Sequence, residues 1–338
     1  MATGDTVLRV RELRTEFRGD RGHVRVLDNV SFDVGRGRIV GLVGESGSGK
    51  SMTALSLMGL TPKPQSHVSA RSIELDGVEL TALGADGLRR IRGRDIAMVF
   101  QEPMTSLNPV RKVGDQVGEP LAVHKGLTRR QIRARVLEMF ELVGIPEPKA
   151  RLDAYPHELS GGLRQRAMIA MGLICEPKLL IADEPTTALD VTTQAQILRL
   201  MRELRDRVGT SIIMITHDLG IIAEMCDEVN VMYAGQIVEQ ADVFDLFERP
   251  SHPYTRGLLA SIPKSTEKRI GRRMPSIPGR VPDLARLPVG CRFSPRCGDV
   301  ISVCRQEEPA LAGLAEGHFA RCWVHAPQAA TAGGRDAS

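Results

Sequence analysis

The sequence predicts an α/β fold: a mixed sheet covered on both faces, with an antiparallel β subdomain, an inserted helical subdomain and a small irregular Cys-rich C-terminal module. Three observations predict it. The apolar run Ile39-Val40-Gly41-Leu42-Val43 feeds directly into Gly44-Glu45-Ser46-Gly47-Ser48-Gly49-Lys50-Ser51, a strand followed by a glycine-rich turn and a helix start. Two further runs, Leu179-Leu180-Ile181-Ala182 and Ser211-Ile212-Ile213-Met214-Ile215, are apolar throughout and flank a helical stretch around Ala195 to Arg207. Strands that do not alternate are buried on both faces, as in a parallel sheet. Beyond Phe247 the character changes: prolines recur at positions 250, 253, 263, 275, 278, 282 and 288, and four of the six cysteines gather behind them.

Taken in order, residues 7 to 43 alternate apolar and polar in short pieces separated by Gly and Asp turns, the pattern of antiparallel strands. Residues 70 to 100 return to strand-like alternation and end in the buried run Ile96-Ala97-Met98-Val99-Phe100, which points at Gln101. From Leu127 to Val143 the apolar positions Ile132, Val136, Met139, Phe140 and Val143 recur at helical spacing behind Thr128 as N-cap. These assignments divide the chain into a nucleotide-binding domain over 1–262 with a helical subdomain at about 102–172, a Pro- and Cys-rich module over 263–327, and a disordered small and polar tail over 328–338. No internal repeat is visible, so a single nucleotide-binding unit is expected.

The chemistry begins at Gly44 to Ser51, which fits G-x-x-x-x-G-K-[ST] with the required strand in front. Its glycines let the backbone N–H groups converge on a phosphate at the N-terminus of the helix near Lys50. Lys50 adds a full positive charge at the terminal phosphates, and Ser51 offers a hydroxyl to Mg²⁺. The strand at 179–182 runs into Asp183-Glu184. A carboxylate at that strand end suits Mg²⁺, which is Asp183, and the next one, Glu184, suits polarising an attacking water.

Composition narrows the classes. Aromatic residues are only 4% of the 338, which disfavours stacking of single-stranded nucleic acid, and a net charge of +4 is mild. The densest basic stretch, Lys264 to Arg286, is interleaved with prolines and reads as a solvated linker. No run of uncharged apolar residues is long enough to span a bilayer, and Met1 to Arg11 lacks the apolar core of a secretory signal. A cytosolic setting is expected, in which the cysteines stay reduced and serve as metal ligands or core thiols rather than disulfides. Cys291, Cys297, Cys304 and Cys322 are spaced C-x5-C-x6-C-x17-C, which suits a tetrahedral thiolate site or a cubane cluster without choosing between them. Cys175 and Cys226 lie in apolar or helical contexts and read as core thiols.

Leu159-Ser160-Gly161-Gly162-Leu163-Arg164-Gln165-Arg166 resembles the ABC signature. The order glycine-rich loop, Gln101, signature, Asp183-Glu184, Ala188-Leu189-Asp190, His217 is similar to that of the ABC ATPase family over about residues 7 to 250. That resemblance implies a P-loop ABC ATPase core in which Gly44, Glu45, Ser46, Gly47, Ser48, Gly49, Lys50, Ser51 and Met52 hold ATP. It further implies that Ser160, Gly161 and Gly162 meet the γ-phosphate bound by a second subunit, so that neither half completes the site alone. Small residues opening a helix agree with an anion there. By the same resemblance Gln101 senses Mg²⁺ and water, His217 contacts the γ-phosphate, Asp190 touches the opposite subunit and Phe17 stacks on adenine. Leu163 is the one departure, where many members have Gln. The intact set Asp183, Glu184 and His217 implies hydrolysis rather than silent ATP binding. A soluble ABC ATPase acting on DNA or ribosomes would need a long coiled coil, a tandem unit or a strongly basic surface, and the sequence has none.

The tail narrows the resemblance. Ser251-His252-Pro253-Tyr254-Thr255, Ile277-Pro278-Gly279, the segment Leu287 to Cys297 and Arg321-Cys322 are similar to the C-terminal region of oligopeptide/dipeptide ABC importer ATPases. Members with the four cysteines are implied to hold a [4Fe-4S] cluster, here on Cys291, Cys297, Cys304 and Cys322. The implied machine comprises two transmembrane permease subunits, an external substrate-binding protein and two ATPase subunits, expected to be a heterodimer of paralogues. This chain would sit peripherally on the cytoplasmic side of the cell membrane, contact no nucleic acid, and couple to the permease through the region from Gln101 to Val117. Nickel, glutathione and related solutes use similar ATPases, so peptides enter here as the family's implication.

Overall fold

The computed structural model describes residues 5–19, 22–101, 106–187, 189–262 and 276–325. The expected disordered stretch 328–338 and most of the expected Pro-rich linker lie outside the described residues, as does Ala188. The first sheet is antiparallel: β1 (Thr6–Gly19) pairs with β2 (Gly22–Gly35), β4 (Ser66–Ser69) and β5 (Ser72–Leu75), and β5 pairs with β6 (Val78–Glu79). The expected short pieces over 7 to 43 are instead two 14-residue strands, kept continuous by register shifts around Val10/Leu13 and Leu13/Thr15. Such bulges interrupt alternation in the sequence without ending the ladder.

The second sheet carries β3 (Ile39–Val43), β7 (Ile96–Val99), β8 (Leu179–Asp183), β9 (Ser211–Thr216), β10 (Glu228–Tyr233) and β11 (Gln236–Asp242). Its core, β10-β3-β9-β8-β7, is parallel, and β11 adds antiparallel to β10. Every residue of β3, β8 and β9 is buried, because successive side chains point to opposite faces and both faces are covered. Val40, Leu42, Ile181, Ile213 and Ile215 pack with the antiparallel sheet and α1 (Lys50–Leu57). Ile39, Val43, Leu180, Ile212 and Met214 pack with the helices of the other face.

That face holds the helical insertion: α3 (Val113–His124), α4 (Arg129–Leu142), α5 (Pro148–Arg151) and α6 (Gly161–Leu173). The N-cap expected at Thr128 is present as a full capping box with Gln131, and Val136, Met139 and Phe140 are buried. α7 (Val191–Val208) and α8 (Leu219–Met225) follow. Residues 70 to 100 contain a helix the alternation did not predict, α2 (Ala85–Ile91), whose Asp86 lies in its first turn and Arg89 and Arg90 in its last, charges that complement the helix dipole. No helix among the described residues is long and apolar enough to cross a membrane.

The tail is more regular than expected and is wired into the core. α9 (Val243–Glu248) and α10 (Pro253–Ala260) occupy the start of the proline-rich stretch, and Pro253 opens α10, where its missing N–H breaks no bond. A hairpin, β12 (Ala312–Ala315) and β13 (His318–Ala320), extends the main sheet by pairing β13 with β11. Strands this short carry too little alternation to be read from sequence. Glu239, fully buried on β11, accepts the N–H groups of Ser251 and His252 at 2.7 and 2.9 Å and lies 2.8 Å from His318 Nε2. Arg292 is buried too: it pairs with Asp28 of β2, donates to the Ala234 carbonyl at 2.7 Å and reaches Glu308 at 3.1 Å.

Without Arg292, Asp28 would keep only the more exposed Arg25, 3.1 Å away, and Arg14, 3.8 Å away, and the Ala234 carbonyl would lose its donor. Arg292→Ala is therefore expected to lower the unfolding free energy by about 1–3 kcal/mol in urea denaturation. Arg89→Ala, whose ion pair with Asp86 lies in solvent, should leave the midpoint unmoved.

Candidate functional site

The parallel strands end together. β3 delivers Gly44, β8 delivers Asp183 and Glu184, and β9 delivers Thr216 and His217 to one edge of the sheet, with Val43 opposite Thr216 and Asp183 opposite Ile215. At Gly44, φ is 156° and a Cβ would stand 2.2 Å from the Met232 carbonyl oxygen, so no side chain fits the turn out of the sheet. Gly49 (φ 109°) precedes α1 and offers no side-chain cap, which leaves the first-turn N–H groups for an anion.

Lys50 is buried, and its ammonium donates to the carbonyls of Gly44 at 2.6 Å and Glu45 at 3.0 Å. Burial lowers its pKa, opposed by the charges of Glu184, Asp183 and Glu45. Ser51 Oγ donates to Asp183 Oδ1 at 3.1 Å. Burial raises the pKa of Asp183, and the charge of Glu184 adds to it, against the Ser51 hydrogen bond and Lys50. A carboxylate in want of positive charge beside a hydroxyl fits a divalent cation. Mg²⁺ takes few protein ligands and completes its shell with water and phosphate oxygens. This is consistent with the absence, among the described residues, of any group of three His, Cys, Asp or Glu able to hold a metal ion by themselves.

Glu184 is the centre of the second cluster. Its backbone is left-handed at φ 47°, a conformation that costs a non-glycine residue on the order of 1–3 kcal/mol and that gathers at functional sites. Its N–H is tied to the Ile215 carbonyl at 2.9 Å. One carboxylate oxygen accepts from Gln101 Nε2 at 3.0 Å and Thr187 Oγ1 at 2.8 Å, while the other lies 3.0 Å from His217 Nδ1. Burial alone would raise its pKa, but the hydrogen bonds of Thr187 and His217, with the charges of His217 and Lys50, outweigh it and hold the carboxyl below its usual value. The group is thus an ionised base with both oxygens oriented. Gln101, Glu184 and His217 lie in hydrogen-bond contact at this edge, and Thr187 joins them without having been singled out in the sequence.

Ser160 is the exposed N-cap of α6, its hydroxyl accepting the Leu163 N–H at 3.4 Å, and Gly161 is exposed beside it. Gly162 is held close to α7, since a Cβ there would come within 2.8 Å of Thr193 Cγ2. Asp190 has a local role: it N-caps α7, accepting from the Thr193 N–H at 2.9 Å and its hydroxyl at 2.7 Å. Phe17 is half-buried on β1 opposite Val24, and Met52 is half-buried on α1. Ser46 and Gly47 are exposed at the tip of the loop, and Ser48 is buried beneath it.

The tail cysteines gather. Burial pushes the Cys291 thiol up to about 11, and the charges of Cys304, Cys297 and Cys322 contribute, against the Phe293 N–H. Cys297 is raised by burial as well, with Asp299, Cys322 and Cys304 adding to it. The Cys291 N–H donates to the Cys304 carbonyl at 2.8 Å, and the His325 N–H reaches Cys322 Sγ at 3.5 Å. None of the six cysteines is in a disulfide. Among the described residues no group of three His, Cys, Asp or Glu is arranged to hold a metal ion, so the shared metal site expected of Cys291, Cys297, Cys304 and Cys322 is not supported by the arrangement. Cys175 and Cys226 are buried thiols raised by desolvation, as expected of core residues.

Comparison with known proteins covers the whole arrangement. A family described as "ABC transporter" matches residues 27–187, and one described as "Oligopeptide/dipeptide transporter, C-terminal region" matches residues 238–304. A probable peptide ABC transporter ATP-binding protein of Sinorhizobium fredii is 53% identical, covering 94% of this chain and 95% of its own. The oligopeptide transport ATP-binding protein AppD of Bacillus subtilis is 47% identical over 96% of this chain and 98% of its own. Among solved structures, the dimeric ATP-binding cassette MJ0796 bound to ADP and Pi matches 70% of this chain and 98% of its own, with a TM-score of 0.62 and 26% identity. CbiO1 of Clostridium perfringens matches 72% of this chain and 92% of its own, with a TM-score of 0.62 and 31% identity. With relatives this similar over nearly its full length, and with a loop, a strained carboxylate and a histidine converging at one sheet edge, the chain belongs to the ABC transporter family of ATP-binding proteins.

Proposed function

We propose that this chain hydrolyses ATP to energise an importer of di- or oligopeptides. The observation that carries the reading is Glu184, ionised and held between Gln101 and His217, at the sheet edge where Lys50, Ser51 and Asp183 also end. Lys50 would leave the loop carbonyls for the β/γ-phosphates, Ser51 and Asp183 would hold Mg²⁺, and Glu184 would orient the attacking water. The Mg²⁺ would neutralise developing phosphate charge. The peptide assignment is supported by the C-terminal match at residues 238–304 and by the printed names of the relatives.

Ser160 and Gly161 are exposed at the N-terminus of α6, which favours a second ATPase subunit, a paralogue in our reading, whose nucleotide they would cover. Asp190, at the N-cap of α7, would sit on the same contact. Phe17 would stack on adenine, with Met52 beside the nucleotide. Two permease subunits, engaged through the region from Gln101 to Val117, and an external binding protein would complete the machine, with this chain peripheral on the cytoplasmic side of the cell membrane. ATP drives it by binding the closed pair more tightly than the open one. We further propose a [4Fe-4S] cluster on Cys291, Cys297, Cys304 and Cys322, supported by their free thiols and by the Cys291 N–H that donates to the Cys304 carbonyl at 2.8 Å.

Lys50→Ala and Glu184→Gln should each lower the ATP hydrolysis rate by at least about a hundredfold, read as phosphate release; activity at the wild-type level would overturn the assignment. Thr187→Ala removes a hydrogen bond that lowers the Glu184 pKa, so that pKa rises and the base is protonated at higher pH. The acid limb of the pH–rate profile should therefore move upward. Chain purified without oxygen should absorb broadly at about 400 nm and carry about four irons, both lost in Cys297→Ser; stoichiometric zinc or no metal would remove the cluster.

A further inference from the structure

Glu45, the second residue of the phosphate loop, is gripped on every polar group it has. Its carboxylate forms a bidentate pair with Arg296, Nη1 to Oε2 at 2.7 Å and Nη2 to Oε1 at 3.0 Å. Its backbone N–H donates to the Tyr254 hydroxyl at 2.8 Å, and its carbonyl accepts from Lys50. Arg296 and Tyr254 lie 251 and 209 residues further along the chain. The grip is itself buried and braced. The Arg296 side chain is 4% exposed, its Nε donates to the Pro278 carbonyl at 2.8 Å, and its guanidinium lies 5.8 Å from the Tyr233 ring centre and 5.9 Å from that of Phe293. Tyr254 is fully buried against the same two rings.

We infer that Arg296 and Tyr254 are positioning residues of the nucleotide site, supplied by the C-terminal part of the chain. The inference rests on the reading of Gly44 to Ser51 as the phosphate loop. Two effects follow from the geometry. A carboxylate beside a triphosphate repels it, and the paired guanidinium offsets that charge. A fork held by two parallel hydrogen bonds also fixes the Glu45 peptide, so the loop is set before nucleotide arrives and less ordering is needed on binding. Neither residue touches the reacting atoms, so the effect falls on nucleotide affinity rather than on the chemical step.

The test is equilibrium binding of MgATP to the full chain, with KM and kcat for hydrolysis alongside. Arg296→Met should weaken binding about tenfold and raise KM in step, with kcat within about twofold of wild type. Arg296→Lys, which keeps the charge but not the fork, should fall between. Glu45→Gln added to Arg296→Met should recover most of the lost affinity, because it removes the uncompensated charge, and a merely structural arginine would not be rescued this way. Wild-type affinity in Arg296→Met, or a double variant weaker than the single, overturns the proposal. If Arg296→Met does not fold, Tyr254→Phe decides: about a threefold loss supports the grip and none overturns it. Lys50→Ala separates the two readings. Binding retained there defeats the phosphate loop itself, whereas binding lost there and kept in Arg296→Met defeats only the positioning role.

Discussion

The constraint on which the rest depends is the parallel register of β3, β9 and β8. With Val43 opposite Thr216 and Ile215 opposite Asp183, the residues that leave the sheet next are Gly44, His217 and Glu184. They can converge only because all three strands run the same way and are buried on both faces, which holds the register against slippage. The left-handed backbone of Glu184 is the local cost of turning its carboxylate toward Gln101 and His217, and the Ile215 carbonyl, which accepts its N–H, holds it there.

A second layer of constraint comes from the far end of the chain. The turn between β10 and β11 lies under the loop: the Gly235 N–H bonds the Ser48 carbonyl at 2.9 Å, and the Asp28 N–H bonds the Gly235 carbonyl at 2.9 Å. Arg292 locks onto Asp28 and the Ala234 carbonyl of the same turn, and Arg296, one turn later, reaches Glu45. The tail is therefore continuous with the nucleotide loop through two buried arginines. A change in the cysteine neighbourhood has a short mechanical route to the phosphate site, since Cys297 follows Arg296 directly.

Much of the site was legible because it is local. Gly44 to Ser51 and Asp183-Glu184 declare themselves by residue type and spacing behind apolar strands, and the capping box at Thr128 did the same for its helix. Gln101, His217 and the signature were legible only through resemblance, since a lone Gln or His after a strand has no intrinsic mark. Thr187 escaped because a lone Thr three residues after a carboxylate has no intrinsic mark, and Tyr254 and Arg296 because their roles exist only across long loops, with no spacing rule to link positions 45 and 296. Asp190 was read for its family role while its N-cap geometry, visible as Asp before Val191-Thr192-Thr193, went unused. The helix Ala85–Ile91 and the hairpin over 312–320 are too short for periodicity, and Pro253, one of the prolines that mark the change of character beyond Phe247, stands where a helix accepts it.

In the proposed pair each ATP site would need two chains, one bringing Lys50 and Glu184 and the other its exposed Ser160. The most direct measurement is the ATP hydrolysis rate per chain as protein concentration is raised, alone and with a candidate paralogous ATPase chain added. The expected rate per chain climbs with partner concentration, and Ser160→Arg abolishes it without weakening ATP binding to the isolated chain. A rate per chain independent of concentration and indifferent to Ser160→Arg would contradict it.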